Sequence, residues 1–158
     1  MNPVYAFQPI PQDSKISVFL AGPTPRTATQ VGWRPAALEI FRQLAFDGHV
    51  LIPEAEDGVW KNDYDGQVEW EAEGLTRCTV ILFWIPRDMA GGMPALTTND
   101  EWGYWKASGK VVLGTPPGAD KVSYQRYYAK KLGVPLSNTL EDTITQAISL
   151  AERLIKSK

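Results

Sequence analysis

The groups in this sequence best placed to do chemistry are carboxylates near the ends of predicted strands. An apolar strand, Thr79 to Ile85, runs into a loop holding Gly91, Gly92 and Pro94, and that loop leads through Thr97-Thr-Asn-Asp-Glu101 into a helix. Thr98 with Glu101 three residues later reads as a capping box, which places Glu101 in the first helical turn. The helix dipole favours negative charge there, so the carboxylate is expected to stay ionised. An ionised carboxylate just past a strand end is a candidate nucleophile; the competing reading is that Glu101 only caps its helix. A second helix is expected from about Gln67 to Arg77, with an apolar stripe of Val68, Ala72 and Leu75. Glu71 lies beside that stripe, while Glu69 and Glu73 point the other way. Glu71 is therefore the glutamate of that helix expected to face a cleft, or else a partly buried ion-pair partner. Asp63 and Asp88 are further candidate acids. Two carboxylates, one attacking an anomeric carbon and one protonating the leaving group, make the arrangement of a retaining glycosyl transfer.

The elements that must position these groups alternate strand and helix. Residues 1–14, with three prolines and no period, read as an irregular arm. Lys15 to Ala21 is a near-continuous apolar run, as in a parallel strand buried on both faces. It stops at Gly22-Pro-Thr-Pro-Arg26, where glycine permits close backbone approach. A helix from roughly Trp33 to Phe46 follows, then the strand His49 to Pro53 and a long acidic loop, Glu54 to Gly66, carrying Trp60 and Tyr64. After the Glu71 and Glu101 helices come the strand Lys110–Gly114, a helix over Ser123–Leu132, a short edge strand at Val134–Leu136 and a last helix over Leu140–Ile155. Such alternation predicts one α/β domain over residues 15–158, a five-stranded parallel sheet of flavodoxin-like order with helices on both faces. In that architecture ligands sit outside the carboxyl ends of the strands. Glu101 belongs to that edge.

Composition narrows the function classes. Hydrophobic residues are 44% and charged residues 22%, with a net charge of −2, which gives no reason to expect nucleic acid or a membrane surface as partner. No apolar run has the length of a membrane span, and Met1-Asn-Pro-Val-Tyr5 lacks the signal-peptide pattern, so a cytoplasmic protein is expected. One cysteine, Cys78, excludes an internal disulfide and a cysteine-cluster zinc site, and the single His49 argues against a His-based metal site or a Ser-His-Asp triad. Cys78 reads as a small core residue and His49 as the start of a strand. Asp57, Asp63 and Asp65 are spaced loosely like a calcium loop whose remainder is missing. There is no G-x-G-x-x-G after a strand, no Walker A sequence and no G-x-S-x-G. Carboxylate chemistry needs neither metal nor cofactor, and none is expected. Six tryptophans offer flat surface on which a planar leaving group could stack.

Four segments in order, Phe19-Leu-Ala-Gly-Pro-Thr-Pro-Arg26, Trp70-Glu71, Ile81-Leu-Phe-Trp-Ile-Pro-Arg87 and Met93-Pro-Ala-Leu-Thr-Thr-Asn-Asp-Glu-Trp-Gly-Tyr-Trp105, resemble the nucleoside 2-deoxyribosyltransferase family over roughly Ile16 to Leu113. The resemblance implies the flavodoxin-like fold, with Glu101 as the nucleophile that attacks C1′ of a deoxyribose and Glu71 as the acid that contacts the base and helps protonate it. It also implies that Gly22 and Pro23 line the sugar pocket, that Asn99 stands where sugar hydroxyls are contacted, and that nucleosides and free nucleobases are the small-molecule partners. Asp63, Asp88 and Trp60 complete the expected substrate contacts. Family members build each site with residues of a neighbouring subunit, so a homo-oligomer, a dimer or dimer-based assembly, is expected. The terminus Lys156-Ser-Lys158 lacks the aromatic ending seen in some members. Two other readings stand beside transfer. One is an N-glycosidic hydrolase of nucleosides or nucleoside 5′-monophosphates, with Arg26, Arg34 or Arg87 over the phosphate; the other is a non-catalytic nucleotide-sensing module.

Overall fold

The computed structural model describes residues 1–25, 31–59 and 61–157. Its centre is a six-stranded, wholly parallel sheet: β1 (Asn2–Tyr5), β2 (Ser17–Ala21), β3 (His49–Ile52), β4 (Val80–Trp84), β5 (Val111–Gly114) and β6 (Leu136–Ser137). The spatial order is β1-β3-β2-β4-β5-β6. The helices are α1 (Arg34–Gln43), α2 (Tyr64–Arg77), α3 (Leu96–Trp105), α4 (Ser123–Leu132) and α5 (Leu140–Lys156). Apart from β1, this is the doubly wound flavodoxin-like order, with its reversal between β2 and β4. No described helix is long and apolar enough to cross a membrane.

The expected count of five strands is one too few. Asn2–Tyr5, inside the segment read as an irregular arm, pairs in parallel with β3, Val4 opposite Leu51. A proline sits in that strand, which only an edge position tolerates, and β1 is the edge. The arm is pinned from several sides. Trp70 Nε1 donates to the Gln8 carbonyl (2.8 Å), and His49 joins Asn2 through one ring nitrogen (3.0 Å) and Asp13 through the other (2.9 Å).

The strands read as continuous apolar runs because both of their faces are covered. Val18 and Leu20 pack toward α1 and α5 with Ala37, Phe41, Ile144 and Ala147. Phe19 and Ala21 face the opposite way, onto the layer of α2, α3 and α4 with Trp70, Leu75, Trp102 and Ala129. Period-2 alternation sends each strand's neighbours to different helical layers. Gly74 lets α2 lie close on the sheet, since a Cβ there would come within 2.8 Å of the Phe19 ring.

Candidate active site

The cavity at the carboxyl ends of β2 and β4 has a volume of about 750 Å³. Its floor is the β2–α1 turn. Gly22 is required there because a Cβ would lie 2.2 Å from the Trp84 carbonyl and 2.9 Å from the Trp33 ring. The turn is clamped from below: the Pro23 carbonyl accepts from Trp33 Nε1 (3.0 Å) and the Gly22 carbonyl from Arg34 Nη2 (2.8 Å).

Arg34 is 2% exposed and uses all five of its donors. Nε and Nη2 reach the Leu20 carbonyl (3.2 and 3.1 Å), Nη2 also reaches Gly22, and Nη1 reaches Thr24 Oγ1 (2.9 Å) and Glu54 Oε1 (2.5 Å). A guanidinium so committed cannot take a substrate phosphate. It is instead a fixed positive charge beneath the carboxylates. Arg87 is committed elsewhere, to Asn99 and to the Lys121 carbonyl (2.7 Å), so neither arginine fills the phosphate-binding role considered for it. Arg26 lies outside the described residues.

Two helices carry the acids to this cavity. Asp63 caps α2, its Oδ1 accepting from Gly66 N (3.0 Å), and the helix therefore starts at Tyr64, three residues earlier than its apolar stripe indicates. Two turns on, Glu71 enters the cavity, and Gln67 one turn before it donates to Glu71 Oε1 (2.7 Å). Burial pushes the Glu71 carboxyl upward, opposed by the Gln67 bond and by Arg34. Glu101 comes from α3. Burial and then the neighbouring charge of Glu71 push its carboxyl up to about 8, against the pull of Arg34. The structure brings Glu71, Glu101 and Arg34 into one electrostatic unit.

The expected capping box is absent. Helix α3 begins at Leu96 after Ala95, a residue in the left-handed region (φ 56°), and no side chain caps it. Thr98 is buried within the first turn and Glu101 is the sixth helical residue, beyond the reach of the terminal dipole. The expectation of a carboxylate kept ionised by a helix terminus is therefore not met: desolvation and the charge of Glu71 raise the Glu101 carboxyl instead.

Gly22, Pro23, Asp63, Glu71 and Glu101 all line the cavity, as do Gln67 and Tyr64. Asn99 does not. Two residues before Glu101, it stands about 200° round the helix, and its Oδ1 accepts from Arg87 Nη2 and Gln125 Nε2 (2.7 Å). Asp88 does not either. Its backbone bridges Met93 and its Oδ1 accepts from Gly91 N (2.6 Å), which folds the β4–α3 loop. Trp60 lies outside the described residues. Trp33, Trp70, Trp84 and Trp102 are buried in the two cores, so none of them offers a ring to a ligand in this cavity. The aromatic side chain at its mouth is Tyr64, 79% exposed. Asp57 and Asp63 cap a turn and a helix. No cluster of metal-ligating side chains occurs among the described residues. Sequence reasoning passed over Gln67, although its four-residue spacing from Glu71 on one helix was the available signal.

No curated protein matches the chain. The family model described as nucleoside 2-deoxyribosyltransferase-like matches residues 15–119, a span that contains β2 to β5 and every cavity residue named above. The chain belongs to the nucleoside 2-deoxyribosyltransferase-like family.

Proposed function

We propose that the protein is a nucleoside 2-deoxyribosyltransferase, a pentosyltransferase that exchanges the base of a 2′-deoxynucleoside by retaining double displacement. The observation that carries the reading is the meeting of Glu71 and Glu101, from separate helices, over the buried Arg34 charge in a cavity at the strand ends. Glu101 attacks C1′ as the C1′–N bond breaks, and Glu71 gives its proton to the departing base. An ester joins Glu101 to the sugar. The second base then attacks C1′, returns a proton to Glu71 and releases the Glu101 carboxylate. Two inversions give net retention. Arg34 stabilises the carboxylate charge that appears on Glu71 as it gives up its proton and Glu101 becomes an ester. Tyr64 supplies a flat surface at the mouth for the base, and a neighbouring copy of the chain is the expected means of closing the cavity against water.

The test is chromatographic. Deoxyinosine and adenine are incubated with the protein, and the products are separated. Deoxyadenosine with hypoxanthine and little free deoxyribose is expected. Free deoxyribose without deoxyadenosine contradicts transfer and points to hydrolysis. If neither forms, and 5′-monophosphates and ribonucleosides are also inert, the protein is a binding module.

A further inference from the structure

Gln67 stands one turn before Glu71 on α2, and the four-residue spacing lays the two side chains side by side. Both line the cavity and both are half-buried. The Gln67 amide nitrogen spans two acceptors. It donates to Glu71 Oε1 (2.7 Å) and, more weakly, to the Pro53 carbonyl at the end of β3 (3.4 Å). Turning the amide round would set Gln67 Oε1 against a carbonyl and an ionised carboxylate, neither of which has a proton to give. With Glu71 protonated, the Pro53 carbonyl still accepts only, so the nitrogen keeps its place. Gln67 Oε1 is meanwhile buried without a partner among the described residues, an unfavourable placement that the bonds of the nitrogen must outweigh.

This arrangement makes the two oxygens of Glu71 unequal. Gln67 is the one hydrogen-bond donor to Glu71 among the described residues, and it engages Oε1 alone. In a protonated carboxyl the carbonyl oxygen is the better acceptor, so the oxygen held by the amide remains the carbonyl and the proton goes to the other. The charged groups sharing the cavity with Glu71 are Glu101 on α3, Arg34 on α1, and Lys61 and Asp63 ahead of α2.

We propose that Gln67 is the positioning residue of the acid: by holding Oε1 it keeps the transferable proton of Glu71 on Oε2 and fixes the direction in which that proton is given. The assignment rests on Glu71 being the acid of the proposed function. In the step itself the Oε2–H bond breaks as the departing base takes the proton, and the electron pair of the C1′–N bond leaves with the base. The negative charge left on the Glu71 carboxylate is stabilised at Oε1 by the amide N–H.

The experiment compares the wild type with Gln67→Met, which keeps the reach of the side chain and removes its donor, on two substrates with adenine as acceptor. The base of deoxyinosine takes up a proton as it leaves; that of 7-methyl-2′-deoxyguanosine, already cationic, departs neutral without one. Gln67→Met should lower kcat on deoxyinosine by about 10–10²-fold, with KM changed less, and leave kcat on the methylated substrate within about twofold. Gln67→Leu, a second side chain without a donor, should show the same selectivity. Burial raises the Glu71 carboxyl and the Gln67 bond opposes it, so loss of the donor should also move the alkaline limb of the deoxyinosine profile to higher pH. In Glu71→Gln, which lacks the acid, adding Gln67→Met should change kcat on deoxyinosine by less than about twofold. A Gln67 variant equal to the wild type on deoxyinosine overturns the proposal. So does one slowed equally on both substrates, or an undiminished loss in the Glu71→Gln background, since loss of shape alone does either. If the wild type releases base from neither substrate, the proposed function fails, and this assignment with it.

Discussion

At the scale of single residues the account turns on one proton held between two glutamates. Glu101 is pushed up to about 8 by burial and by the charge of Glu71, and Glu71 is itself raised. The proposed transfer needs Glu101 ionised and Glu71 protonated, which makes the singly protonated pair its active form. The dependence of kcat/KM on pH is then a bell whose alkaline limb falls near 8, where the last proton leaves. Glu71→Gln should lower kcat by about 10²–10⁴-fold, as loss of a general acid does. It should also erase the alkaline limb and move the ionisation of Glu101 below 8, because the Glu71 charge no longer opposes it. A wild-type bell in that variant contradicts the assignment. The same proton affects stability. A carboxyl whose folded value is raised binds its proton more tightly when folded, so its contribution is intact below about 4.5 and is lost as pH rises through about 8. Glu101→Gln keeps the shape and never ionises. Its unfolding midpoint should exceed the wild type's by an amount that grows from pH 4.5 to 8 and then levels, each kcal/mol giving about 2–4 °C in a domain of this size. A difference that shrinks with pH contradicts the burial of Glu101.

At the scale of elements, turns and helix starts set the site. Gly22→Ala drives a Cβ into the Trp84 carbonyl and the Trp33 ring, and backbone cannot yield as a flexible side chain does. Overpacking of this kind costs about 1–3 kcal/mol, and the displaced turn carries the carbonyls that hold Arg34. Thermal melts and transfer assays should show both lowered stability and a disproportionate loss of kcat; an unperturbed variant contradicts the clamped turn. The sequence made the parallel sheet legible because buried strands leave continuous apolar runs and helices leave a 3.6-residue period. Gly22, Glu71 and Glu101 were legible for a related reason: they stand where such elements end or beside an apolar stripe. Helix starts were harder to read. Asp63 starts α2 earlier than its stripe indicates, and α3 begins with no capping side chain, which turns Thr98 inward and moves Glu101 beyond the dipole. Asn99 rested on the resemblance alone; on α3 it stands about 200° from Glu101 and turns its amide to Arg87 and Gln125. The tryptophans carried no positional signal, because an indole serves a core and a stacking site equally well.

The whole molecule ties its edge strand to the helix that carries Glu71. β1 shields β3 at the sheet edge, and the chain after it crosses to Trp70, the residue before Glu71. Val4, 3% exposed, anchors this strand in the core. Val4→Ala should cost about 2 kcal/mol by denaturant titration, with the slope unchanged, and an effect within error of zero contradicts a docked β1. β1 escaped the sequence reading because four residues with a proline show no period, and only the partner strand makes them a strand. In the proposed function the assembled fold places one carboxylate against an anomeric carbon, and that can be tested directly. The protein is mixed with a 2′-deoxynucleoside without acceptor base, quenched in acid, digested and analysed by mass spectrometry. The account predicts that one deoxyribosyl group is found on the peptide containing Glu101, discharged when adenine is added before the quench. Glu101→Ala should show no adduct and at least about 10³-fold less transfer. Base exchange by wild-type protein with no adduct at Glu101, or by Glu101→Ala at a near-normal rate, would contradict it.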